Sequence, residues 1–92
     1  MQKLKKIIYR IIYHIGRWID IKDFYPNEFS DDYVLVQFMN SDGKLHVPIV
    51  AKYDEYKRCW LIPFGMSITP DNDIYPVCWK NISHNKYNKY LK

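Results

Sequence analysis

Glycine is scarce in this chain, at three of 92 residues, so a glycine-rich loop that cradles phosphate has nothing to be built from. Cysteine is scarcer. Cys59 and Cys78 stand far apart, and no C-x-x-C exists to support a zinc knuckle or a thioredoxin-type pair. A bridge between them requires neighbouring strands with facing Cβ atoms. The low count and the lack of a secretion signal favour buried free thiols instead. His14, His46 and His84 are isolated, without a second ligand at metal spacing, and no cofactor is implied. Ser30, Ser41, Ser67 and Ser83 lack the G-x-S-x-G context of an activated nucleophile. No apolar run approaches the roughly 18–20 residues of a membrane span. The start, Met1 to Ile8, resembles a signal sequence. Arg10 and His14 interrupt its apolar stretch, and no small-x-small cleavage site follows. These absences predict a cytoplasmic, non-enzymatic protein.

Aromatic side chains are plentiful, with 3 Trp, 9 Tyr and 4 Phe. A small domain buries only roughly 60–65% of its unfolded surface, so a few large side chains must carry its stability. Charge is partitioned. Residues 1–19 carry five cations and no acid, residues 20–79 carry all ten acids against five cations, and residues 80–92 carry four Lys and no acid. Basic ends on an acidic middle differ from the single positive face of a DNA-binding domain.

Residues 3–15 read as an amphipathic helix. Leu4, Ile7, Ile8, Ile11, Ile12 and Ile15 recur at i, i+3 and i+4, and at about 100° per residue they fill an arc of roughly 140°. Gly16 is placed to stop the helix in a left-handed conformation. Phe24 to Asp32 is a connector. Strands are expected at Tyr33–Met39, Leu45–Tyr53, Arg58–Phe64 and Ile74–Ile82. Asn40-Ser41-Asp42-Gly43 is a turn signal, and Pro48 demands an edge or a bulge. Gly65 to Asp73 reads as loop. Trp18, Trp60 and Trp79 are expected to share one core with Val34, Val36 and Ile49. A second partly apolar sheet face, Leu35, Val50, Cys59 and Leu61, needs a cover, and the helix is the natural one. The predicted fold is α+β: one amphipathic helix on an antiparallel meander of three to five strands, open or curled toward a barrel. It divides into a basic helix over 1–16, a β-rich domain over 17–82 and a flexible basic tail over 83–92.

Four short motifs stand along the body of the chain: Trp18-Ile19-Asp20-Ile21 leading to Pro26, Val34-Leu35-Val36, Tyr53 with Trp60, and Val77-Cys78-Trp79. In these the stretch from Trp18 to Asn81 resembles a family of short phage and prophage proteins that carries no assigned activity. Two features depart from the family pattern. Trp79 runs into Lys80-Asn81-Ile82 where the family places W-x-P-L-P, and a basic helix precedes the first Trp. The resemblance implies a mobile-element origin and transfers no catalytic residue.

Acids pair as Asp20/Asp23, Asp31/Asp32, Asp54/Glu55 and Asp71/Asp73. Paired carboxylates can do acid–base work, but these fall at predicted turns, where Asp serves backbone conformation. Burying the aliphatic arc would turn Lys6, Tyr9, Arg10 and Tyr13 outward as the candidate partner-binding surface. Tyr87 and Tyr90 with Lys86 and Lys89 repeat that interleaving of rings and cations, a pattern that suits base stacking and phosphate contact. The function expected is a protein-interaction module of a phage or other mobile element, with a host or phage protein as its partner and inhibition of a host protein as its use. The alternative is a nucleic-acid-binding accessory using the basic helix and tail.

Overall fold

A computed structural model of the protein describes residues 2–69 and 72–82. The expected basic tail, with His84, Tyr87 and Tyr90, lies outside these residues, as does Asp71. Helix α1 spans Gln2–His14 and precedes six strands: β1 Ile19–Asp20, β2 Val34–Asn40, β3 Ile49–Asp54, β4 Cys59–Ile62, β5 Met66–Ile68 and β6 Ile74–Lys80. They form one antiparallel sheet in the order β1-β6-β2-β3-β4-β5. β1 and β5 remain as edges, so the sheet is open. The fold is α+β, with six strands because two very short ones join the expected set.

Helix α1 ends as its sequence demands. Gly16 has φ 77°, its N–H donates to the Tyr13 carbonyl at 3.1 Å, and the Arg17 N–H donates to the Ile12 carbonyl at 3.2 Å. This pair of bonds caps the last turn, and only glycine takes the left-handed position cheaply. The sheet differs from expectation at three places. β3 starts at Ile49, because Pro48 cannot donate to the ladder; before it, Leu45 makes only an isolated bridge to Met39. β5 lies inside the expected loop, paired with β4 through Ile62 and Met66. A three-residue connection makes that hairpin, with Phe64 and Gly65 both at positive φ. Third, Ile19 and not Trp18 enters the core. Ile19 pairs with Trp79 and shares its face, so alternation turns Trp18 outward, where it is 41% exposed.

One sheet face carries the core: Ile19, Val34, Val36, Phe38, Ala51, Trp60 and Trp79 are all buried there. Trp79 is its centre. Its indole N–H donates to the Phe24 carbonyl at 2.7 Å, which satisfies a buried donor and pins the connector after β1 onto β6. Phe24 and Phe29 of that connector add their rings to the same face. Helix α1 covers its Trp79 end, and Tyr25 of the connector stacks on Trp60. Cys59 and Cys78 are free thiols, and burial pushes the Cys78 thiol pKa up.

Candidate functional site

The helix docks with the opposite face from the one its aliphatic pattern predicts. Tyr13 is buried, stacked on Phe29 at 5.7 Å between ring centres and tilted against Trp79 at 5.9 Å. Tyr9 is half-buried, its ring edge-on to Phe24 at 5.2 Å. Its hydroxyl donates to Asp23 Oδ2 at 2.7 Å, while Lys5 Nζ donates to Asp23 Oδ1 at 3.0 Å. The Lys5–Asp23 ion pair and the Tyr9 bond make a clasp at the edge of the helix seat. The Tyr9 hydroxyl, then the Lys5 ammonium, hold the Asp23 carboxyl below its ordinary pKa. The same contacts with Asp23 raise the pKa of Lys5 and Tyr9.

The expected outward set of Lys6, Tyr9, Arg10 and Tyr13 is therefore split. Arg10 is exposed, Lys6 is half-exposed with its ammonium 5.9 Å from the Phe29 ring centre, and both tyrosines are committed to the core. The expected cover over Leu35 and Leu61 is likewise corrected, since the helix sits on the Trp79 face and Leu35, Val50 and Leu61 stay half-buried on the other. The physical reason lies in the docking site. The Trp79 face presents Phe24 and Phe29 with Asp23 beside them. A tyrosine satisfies both ring packing and hydrogen bonding there, whereas an isoleucine would leave the carboxylate without its phenol donor.

Turned outward instead are Leu4, Ile7, Ile8, Ile11 and Ile15, each between 48% and 62% exposed. Only Ile12 of the predicted arc packs against the core. Burying a Leu or Ile side chain fully is worth about 1.5–3 kcal/mol, so five chains left half wet forgo about 4–7 kcal/mol. The stripe is contiguous and runs the length of α1, and Trp18 lies beyond its C-terminal end. Cations border it. Lys3, Lys6 and Arg10 line a shallow open hollow of about 470 Å³ along one side, together with Ile7, Ile11 and His14. No acid occurs on α1 at all. A surface that is aliphatic along its crest and cationic along its flank can bind an apolar layer edged with anions.

A smaller hollow of about 250 Å³ lies among Tyr25, Tyr53, Trp60, Ile68 and Tyr75, with Arg58 at its rim. Tyr25 and Tyr53 are 4.6 Å apart and Tyr53 and Trp60 4.9 Å apart, so its walls are the aromatic edge of the core.

Three of the acid pairs take structural parts. Asp20 Oδ1 accepts the Lys22 N–H at 2.8 Å, Asp32 Oδ1 accepts the Tyr33 N–H at 2.8 Å, and Asp54 Oδ1 accepts the N–H groups of Tyr56 and Lys57. Among the described residues no three His, Cys, Asp or Glu side chains gather as a metal site. No helix among them is long and apolar enough to cross a membrane. No family model, no curated protein and no solved structure matches the chain.

Proposed function

We propose that this is a non-enzymatic docking module, an accessory protein of a mobile element that works by attaching to another component of the cell through the outward face of α1. The observation that carries the reading is the contiguous exposure of Leu4, Ile7, Ile8, Ile11 and Ile15 on a helix whose other face is fixed to the core. Small domains rarely leave so large an apolar ridge in water without a use for it. The resemblance of residues 18–81 to short phage and prophage proteins supports the mobile-element origin. The turn duties of Asp20, Asp32 and Asp54 support a role without catalysis. A photo-crosslinking benzoylphenylalanine in place of Ile11, introduced in living host cells, tests the reading. It should give one dominant adduct, protein or lipid, while the same residue in place of Tyr56, which is exposed at the far end of the sheet, gives none. The reading fails if position 11 yields no adduct.

A nucleic-acid accessory is the second reading, favoured by Lys3, Lys6 and Arg10 on one flank of an acid-free helix. Steep salt dependence of DNA binding, unchanged in Ile7→Ser/Ile11→Ser, would support it.

A further inference from the structure

We infer that the outward face of α1 seats flat on an anionic membrane surface, an identification of the occupant that rests on the docking reading above. Four observations point to lipid. The contact surface is a convex ridge of aliphatic side chains with cations beside it, the arrangement of a helix that lies in the interface plane and meets anionic headgroups with its flanks. Residues 1–19 carry five cations and no acid, and with Lys5 paired to Asp23 the other four leave the segment positive. Lys3 and Lys6 sit in the first turns, where the positive end of the helix dipole opposes them, so helix stability does not explain their presence. Trp18 stands exposed just beyond the ridge with the Lys80 ammonium 4.9 Å from its ring centre, an amphipathic pair suited to the headgroup level.

Length fixes the mode of binding. Thirteen residues of helix extend about 20 Å, short of the roughly 30 Å hydrocarbon layer, so α1 lies on the bilayer and does not enter it end-on. The core contacts of Tyr9 and Tyr13 hold the ridge outward before any membrane is met, so no refolding is required. A second copy of the chain is a poorer occupant, since pairing two such ridges would bring two acid-free cationic flanks together.

Sedimentation with vesicles of phosphatidylcholine, alone or mixed with phosphatidylglycerol, tests this on the full chain, with tryptophan emission recorded in parallel. Trp60 and Trp79 are already buried, so a blue shift on binding reports Trp18. The expected result is partition onto the mixed vesicles with a blue shift that Trp18→Phe removes. Replacing Lys3 and Arg10 by Gln should weaken partition by about fivefold per cation. Ile7→Ser/Ile11→Ser leaves net charge unchanged and should abolish the shift while melting like the wild type. Adsorption without a blue shift, equal in wild type and in the Ser variant, would overturn the membrane inference. So would absence of binding to the mixed vesicles, and if concentration-dependent dimers lost in Ile7→Ser/Ile11→Ser then appear, the docking reading survives with a second copy as occupant. A large fall in the melting temperature of the Ser variant would show the ridge to be covered within the chain itself, and the docking reading would fail together with the inference.

Discussion

The two faces of α1 are both apolar by composition, yet only one belongs to the domain. The inner face, Tyr9, Ile12 and Tyr13, meets Phe24, Phe29, Trp79 and Asp23. The outer face, Leu4, Ile7, Ile8, Ile11 and Ile15, stays about half exposed. Hydropathy ranks the outer face higher. Docking follows the fit of rings and a hydroxyl to a specific aromatic seat, and the more hydrophobic face is left over. Amphipathicity thus identifies a face that will be buried against something. It does not identify against what.

The largest effects are expected where the helix seat and the sheet share one side chain. Trp79→Ala removes the central ring and the bond to the Phe24 carbonyl. It should cost about 3–5 kcal/mol, comparable to the whole stability of a small domain, and leave little folded protein at 37 °C by circular dichroism. If Trp79→Ala melts close to the wild type, the inner face has no anchor. Tyr13→Ala comes next. It should cost about 3 kcal/mol and lower the melting temperature by about 10–20 °C.

A smaller effect belongs to the clasp. Asp23→Asn should destabilise less than Tyr13→Ala, and its effect should depend on pH. The folded-state pKa of Asp23 is depressed, so its contribution is present above the unfolded value and is lost as pH falls through the folded one. Tyr9 and Lys5 are raised, so their contributions are present below their unfolded values and are lost as pH rises through the folded ones. The gap between wild type and Asp23→Asn, followed by chemical denaturation, should be full near neutrality and close below about pH 4. A gap that stays constant down to strong acid would mean that the clasp does not form in solution.

The thiols give the mildest test. Cys59 is buried and Cys78 half-buried. Alkylation of the native protein should modify Cys78 before Cys59, and denaturation without reductant should free both. A denatured, unreduced sample that takes no label would show a disulfide.

Several elements were legible in the sequence because one local cause dictated each. Gly16 ended α1 through its left-handed backbone. Val34, Val36 and Phe38 announced β2 by alternation, and Trp60 and Trp79 reached the core by size. Other features depended on partners distant in sequence. Ile19 takes the core position expected of Trp18 because its register with Trp79 fixes its side. β5 hid among Gly65, Pro70 and the acids, and the chain turns into it at Phe64 as well as Gly65, although Phe64 carries no turn signal. The candidate site was half legible. The aliphatic arc was found, but its direction depended on Asp23 and Phe29, one strand and one connector away. The clue available was tyrosine itself, since Tyr9 and Tyr13 lie one turn apart and bring ring area together with a donor.

Side-by-side thermal unfolding of Ile11→Asp and Tyr13→Asp tests the central claim most directly. Each places one carboxylate on α1, two residues apart and on opposite faces. The structure predicts that Ile11→Asp stays within about 1 kcal/mol of the wild type, a shift of a few degrees, because its charge remains in water. Tyr13→Asp should be unfolded at room temperature, because it buries an unpaired charge against Phe29 and Trp79. The reverse order, with Ile11→Asp unfolded and Tyr13→Asp stable, would contradict the account and return the aliphatic face to the core.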